Sequence, residues 1–152
     1  MKKYEFTGET KRVELWNRTA TLHRIKATVE FGFVKVGELG GWIEKEENLS
    51  HEGKAWVCGD AEVCGDAKVC GDAKVFLASH VLVMGPVGSR NDFTTFFRDK
   101  DNEITVKCGC FLGKIDKFLE KVTQTHGNNK YALVYRAAVE VAKLQIELTE
   151  RK

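Results

Sequence analysis

A six-residue unit repeats three times in the middle of the chain: VCGDAE at 57–62, VCGDAK at 63–68 and VCGDAK at 69–74. Valine then recurs at every sixth position up to Val87. A spacing of six does not match the 3.6-residue period of a helix, whereas a short strand followed by a Gly-Asp turn does. The sequence therefore predicts short strands joined by tight turns, with the valines inside.

This pattern is similar to the hexapeptide repeat of left-handed β-helices, in which three units form one triangular coil. The resemblance implies an α+β protein built on a short left-handed β-helix over residues 43–87. One coil cannot bury its own apolar face, so each is expected to pack its valines against the next. Both ends of so short a stack need covering segments.

The N-terminal segment, residues 1–42, predicts a β-rich cap. It alternates apolar and polar residues in several places, as half-buried strands do. We expect Trp16, Trp42 and Trp56 to cover the open end of the core. Their indole rings are large enough to close it.

The C-terminal segment, residues 88–152, predicts a hairpin followed by two helices. Strand-forming runs at 93–98 and 104–108 flank a polar turn. A helix is expected from about Lys114 to His126, where Gly127 ends it, and a second continues to about Leu148.

Composition excludes several classes of function. The 152 residues carry 24 Lys plus Arg against 22 Asp plus Glu, which is too even for the basic face that binds duplex nucleic acid. No apolar run approaches the roughly 18 residues of a membrane span. We therefore expect a cytoplasmic protein with no nucleic-acid or membrane partner.

The cysteines predict neither a disulfide framework nor a metal site. Cys58, Cys64 and Cys70 are six residues apart and would lie on different faces of the coil, too distant to share an ion. Cys108 and Cys110 lie on one face of a strand and are expected to form a reduced structural pair. We expect no cofactor and no metal.

The segment GPVGSRNDFTT, residues 85–95, has the composition of an anion-binding loop. Glycine lets backbone N–H groups approach a ligand, hydroxyls donate hydrogen bonds and arginine binds phosphate. A turn that ends the repeats would have the same composition, and the sequence leaves both interpretations open. The candidate ligand-binding residues are Gly88, Ser89, Arg90, Asn91, Phe93, Thr94 and Thr95, with Phe93 or Phe96 stacking on a base.

Several of these segments together resemble a group of small hexapeptide-repeat proteins encoded by bacteriophages and prophages. They are GGWI (40–43), NLS (48–50), the VCGDA repeats, GPVGSRND (85–92) and CGCF (108–111). The resemblance covers residues from about 20 to 145. Small phage proteins of this size include anti-defence sponges, oligomers that sequester nucleotide signals of host immunity, and the resemblance therefore implies such a role by analogy.

Three functions follow as expectations. The first is a non-enzymatic sponge for a small phosphorylated signal, such as a cyclic nucleotide or an ADP-ribose derivative. The second is an inhibitor or scaffold that binds a host protein. The third is a hexapeptide acyltransferase with His51 or His80 as general base. In each case we expect a homo-oligomer, a dimer or a trimer.

Overall fold

The computed structural model describes residues 2–15, 17–146 and 148, and Trp16 lies outside the described residues. Ten strands and two α-helices form the described part of the chain. They are β1 (Tyr4–Glu14), β2 (Thr19–Ala27), β3 (Leu39–Ile43), β4 (Trp56–Val57), β5 (Glu62–Val63), β6 (Lys74–Val75), β7 (Val81–Val87), β8 (Asp92–Arg98), β9 (Ile104–Cys108), β10 (Phe111–Lys114), α1 (Ile115–His126) and α2 (Lys130–Gln145).

The strands form three sheets. A mixed sheet has the order β1-β2-β3-β5, in which only the β3–β5 pair is parallel. A fully antiparallel sheet has the order β10-β9-β8-β7. Strands β4 and β6 form a parallel pair of their own.

The prediction of a left-handed β-helix over residues 43–87 is wrong. The described strands form mostly antiparallel and mixed sheets. Each repeat contributes at most two residues to a ladder because its Gly-Asp turn interrupts the strand. The longer antiparallel ladders lie on either side of the repeats, where β2 pairs with β1 and β8 pairs with β7. Strand β7 belongs to the β8 ladder although its valines keep the six-residue spacing of the repeats.

The repeats nevertheless build the first hydrophobic core. The valine and alanine positions from Ala55 to Val75 are all buried. They pack with Tyr4, Ile25 and Phe97, which come from strands on both sides. Glycine occupies the left-handed turn position of each unit, with φ of 56° to 64° at residues 59, 65 and 71, where other residues are strained.

The second core lies between the antiparallel sheet and the two helices. Phe96 and Val106 on the sheet pack against Phe118 of α1 and Val139 of α2. Helix α1 ends at Gly127, and the side chain of Asn129 accepts a hydrogen bond from the backbone N–H of Ala132 at the start of α2. Within the described residues, neither helix is long and apolar enough to cross a membrane.

The turn between β8 and β9 joins the two cores. The buried carboxylate of Asp99 accepts hydrogen bonds from the backbone of Asp101 and Glu103 and from the Thr105 hydroxyl, and Lys114 Nζ lies 3.2 Å from it. The backbone N–H of Lys100 donates to the Asp72 carbonyl in the third repeat. The predicted boundary at 87/88 falls between β7 and β8, two neighbouring strands of one sheet.

Candidate functional site

A cleft of about 380 Å³ opens in the C-terminal half of the chain. Its walls come from the β7–β8 turn, the β9–β10 turn and the exposed end of α1. We call it the junction cleft. It is lined by Ser89, Arg90, Asp92, Cys108, Gly109, Cys110, Phe111, Phe118, Lys121, Val122, Thr125, His126 and Tyr135.

The β7–β8 turn is shaped by a glycine and an asparagine. Val87 pairs with Asp92, so residues 88–91 form the turn, closed by a hydrogen bond from the N–H of Asn91 to the Gly88 carbonyl. Both Gly88 and Asn91 have positive φ, 79° and 49°. Glycine and asparagine tolerate this conformation best. The turn thereby places Ser89 and Arg90 at its tip, on the edge of the cleft.

Two cations border the junction cleft without a carboxylate partner. Within the described residues, no Asp or Glu oxygen lies within 4.0 Å of the charged groups of Arg90 or Lys121. Asp92 also lines the cleft, and its carboxylate accepts a hydrogen bond from the backbone N–H of Phe93. The two unpaired cations are therefore available to an anionic ligand.

Aromatic side chains form the floor of the junction cleft. The ring centroid of Phe118 lies 5.6 Å from those of both Phe111 and Tyr135. His126, at the last turn of α1, stacks on Tyr135 with a centroid distance of 6.0 Å. Burial, followed by the nearby Cys108 and Asp92, raises the pKa of Tyr135 to about 12, so its hydroxyl keeps its proton at neutral pH.

Only part of the predicted ligand set reaches this cleft. Ser89 and Arg90 line it, while Gly88 and Asn91 shape the turn that carries them. Side chains alternate along β8, so Thr94 and Thr95 cannot face the same cavity. Both threonines are buried: the Thr94 hydroxyl donates to Cys108 Sγ at 3.4 Å, and that of Thr95 accepts from the backbone N–H of Lys68.

Phe93 also lies outside the junction cleft. It lines a separate cavity of about 140 Å³ with Lys68 and Lys107, on the side of the sheet that faces the repeats. Phe96 is fully buried in the second core and offers no stacking surface to a ligand.

Helix α1 supplies lining residues that were not in the predicted ligand-binding set. Lys121, Thr125 and His126 follow one another on the cleft side of α1. Lys121 and Thr125 are four residues apart, and so are Val122 and His126, so the members of each pair are neighbours on the helix surface. In the sequence, Lys121 and Thr125 form a polar stripe beside the apolar stripe of Phe118 and Val122. The sequence does not show which loop that polar stripe faces.

The two histidines proposed as general bases accept hydrogen bonds from backbone N–H groups instead. His51 Nδ1 accepts from the N–H of Lys3, its Nε2 lies 3.0 Å from the Glu46 carboxylate, and its ring stacks on Tyr4. His80 is buried, and its Nδ1 accepts from the backbone N–H groups of Phe76 and Leu77. Neither histidine lines the junction cleft.

The repeat cysteines are poor nucleophiles. Cys58, Cys64 and Cys70 are half-buried, and desolvation raises the pKa of each thiol, that of Cys58 to about 11. A raised pKa leaves little reactive thiolate at neutral pH. Within the described part of the chain, no group of three His, Cys, Asp or Glu side chains is arranged to hold a metal ion.

A comparison with models of known protein families finds no match to this sequence. A comparison with curated proteins likewise finds no similar sequence.

Proposed function

We propose that this protein captures a small phosphorylated ligand with an aromatic base in the junction cleft, and that it acts as an anti-defence sponge without catalysis. The ligand class is a cyclic nucleotide or an ADP-ribose derivative. The observation that carries the proposal is the pair of unpartnered cations, Arg90 and Lys121, on a cleft with an aromatic floor.

Arg90 and Lys121 fit the phosphate end of such a ligand. The planar guanidinium of arginine binds two phosphate oxygens at once, and lysine adds a point charge. The two cations come from different elements, the β7–β8 turn and α1, so a phosphate between them contacts both walls. The Ser89 hydroxyl and the Gly109 backbone at the same cleft add neutral hydrogen-bonding groups.

The aromatic floor fits the base. Phe111 is half-buried and offers a ring on which a planar base can stack, whereas Phe118 and Tyr135 are buried and support that ring from the core. Pockets for small molecules range from about 300 to 1,000 Å³, so a cleft of about 380 Å³ suits a ligand no larger than one nucleotide unit. A larger ADP-ribose derivative would place one half in the cleft and the other outside it.

Native mass spectrometry tests this proposal. The purified protein is mixed in turn with cyclic mononucleotides, cyclic dinucleotides, cyclic ADP-ribose isomers and acetyl-CoA. We expect a stoichiometric mass gain with one phosphorylated nucleotide, and release of the unaltered ligand on heating. A chemically altered ligand would mean an enzyme, and no mass gain with any compound would refute the proposal.

Two variants and one matched control locate the site. Arg90→Ala and Lys121→Ala each remove one unpaired cation, and we expect each to weaken binding at least tenfold because a charge-assisted hydrogen bond contributes about 1.5–3 kcal/mol. Lys117→Ala is the control, since Lys117 lies on α1 outside the cleft and pairs with Glu120. Equal affinity in all three variants would place the ligand elsewhere.

A host-protein partner is the second candidate function, and an exposed aromatic patch favours it. The patch consists of Phe33, Phe76 and Leu77, with 77 % of Phe33 exposed. Lys74 Nζ lies 3.5 Å from the centre of the Phe33 ring, and the Arg98 guanidinium lies 5.1 Å from that of Phe76. Exposed clusters of large apolar side chains are typical of protein interfaces.

The patch and the cleft can be tested separately. Phe33→Ser should abolish co-purification of a host protein if that protein binds the patch, and should leave nucleotide binding unchanged. Arg90→Ala should weaken nucleotide binding and leave co-purification of the host protein unchanged. A host protein that is retained by Phe33→Ser would exclude the patch as its binding site.

A further inference from the structure

The turn between β9 and β10 contains two cysteines, Cys108 and Cys110, separated by one glycine. Cys108 pairs with Phe111, so the turn itself consists of Gly109 and Cys110. Gly109 has a φ of 57°, the left-handed conformation that favours glycine. A turn this tight keeps the Cα atoms of its first and third residues about 5–6 Å apart, within the range found in disulfides.

Both thiols border the junction cleft and differ in accessibility. Cys110 is exposed and Cys108 is half-buried. The ammonium of Lys107 donates to the Gly109 carbonyl at 2.6 Å, and Arg90 and Lys121 border the same cavity. Cys110 therefore has the solvent access that the three half-buried repeat cysteines lack.

We propose that Cys108 and Cys110 form a reversible intramolecular disulfide by exchange with a low-molecular-weight disulfide such as oxidised glutathione. The exposed Cys110 thiolate attacks one sulfur of the small disulfide and releases the first small thiolate. The Cys108 thiolate then attacks the Cys110 sulfur and releases the second. The protein dithiol loses two electrons and two protons, and the small disulfide gains them as two thiols.

This exchange alters the wall of the junction cleft. In the reduced protein, Cys108 Sγ lies 3.4 Å from the Thr94 hydroxyl and 3.9 Å from that of Tyr135. A bond to Cys110 draws the sulfur away from both hydroxyls. If the proposed ligand function holds, oxidation lowers ligand affinity, but disulfide formation itself does not depend on that function.

Peptide mapping tests the disulfide directly. Reduced protein is incubated with oxidised glutathione, its free thiols are alkylated, and the product is digested with trypsin. Cleavage after Lys107 and Lys114 releases residues 108–114 with both cysteines in one peptide. We expect this peptide to lose two hydrogens, to carry no alkyl group, and to become doubly alkylated after dithiothreitol treatment.

Two variants distinguish this pair from the other thiols. Cys110→Ser should remove the two-hydrogen loss from the peptide. The triple variant Cys58→Ser, Cys64→Ser, Cys70→Ser should keep it. The proposal is overturned if the wild-type peptide remains doubly alkylated, if it carries only glutathione adducts, or if the lost thiols map to the repeats. Mapping on the wild-type protein decides the question even if the triple variant does not fold.

Discussion

The hydroxyl of Tyr135 occupies the space that a side chain on Gly88 would need. A Cβ atom on Gly88 would clash with Tyr135 Oη, far inside van der Waals contact. Tyr135 belongs to α2 and Gly88 to the β7–β8 turn, so this close approach fixes the turn against the helix. It also fixes the position of Ser89 and Arg90 at the edge of the junction cleft.

Gly88→Ala should therefore destabilise the protein and displace the cleft wall. The added methyl group meets Tyr135 and also disfavours the positive φ, so we expect a loss of about 2–4 kcal/mol in the free energy of unfolding. Gly65→Ala is the control, because Gly65 has a similar positive φ of 63° but nothing within 4 Å. Urea denaturation should show a clearly smaller loss for the control. Equal losses would mean that Tyr135 contributes nothing.

The buried Lys3 predicts a rise in stability at alkaline pH. Its ammonium donates to the Ala55 carbonyl and has no carboxylate partner among the described residues, and desolvation lowers its pKa to about 8. Between pH 8 and 10.5 the unfolded chain binds more protons than the folded one, so the free energy of unfolding rises with pH. This lowering of the Lys3 pKa corresponds to a gain of at most about 3 kcal/mol in the free energy of unfolding.

Unfolding experiments across that pH range, on the wild type and on Lys3→Met, isolate the effect. Other groups also titrate there, but both proteins share them. The wild type should gain more stability than the variant between pH 8 and 10.5. Identical pH profiles would show that burial does not lower the pKa of Lys3.

Asp99 should be the most important carboxylate for stability. It is buried and accepts hydrogen bonds from two backbone N–H groups and from Thr105, besides its ion pair with Lys114. Asp99→Asn replaces one acceptor oxygen by a donor, and we expect a loss of about 2–3 kcal/mol. Asp101 is exposed and also pairs with Lys114, and Asp101→Asn should lower the free energy of unfolding by less than about 1 kcal/mol. Thermal or urea unfolding measures both.

The homo-oligomer expected from the sequence has a testable surface on α2. Leu133, Val141 and Leu144 on α2 are exposed, as is Leu148 beyond its end, and the exposed fraction of Leu144 is 86 %. We expect Leu144→Glu to lower the mass observed by native mass spectrometry to that of a monomer. Leu112→Glu, an exposed leucine on β10, is the control and should leave the oligomer intact. A wild-type protein that is monomeric at all concentrations would exclude self-association.

The sequence predicted the local elements better than their arrangement. The period of six identified the buried valines from Val57 to Val75, since their burial depends on side-chain alternation around a repeated turn, whereas Val81 and Val87 of the same register are only half-buried. It did not predict that β7 leaves the repeat and pairs with β8, because pairing depends on partners distant in sequence. The helices were located by their apolar stripes, and α1 begins one residue after the expected position.

The candidate site was predicted only where a local turn decided it. Gly88 and Asn91 form the turn that carries Ser89 and Arg90, and both residue types favour such a turn, which the sequence shows. Thr94 and Thr95 are buried because β8 is a central strand of its sheet, which the sequence does not reveal. Lys121 reaches the cleft through the packing of α1 on the sheet, a tertiary contact with no sequence signature.

The most direct test of the ligand-binding cleft is a nuclear magnetic resonance titration of the ¹⁵N-labelled protein with the nucleotide that gives a mass gain. The account predicts that the amide signals that shift most belong to Ser89, Arg90, Gly109, Lys121 and His126. It also predicts that those of Phe33 and Phe76 stay unchanged. Shifts confined to the aromatic patch, or spread evenly over the surface, would contradict the central claim.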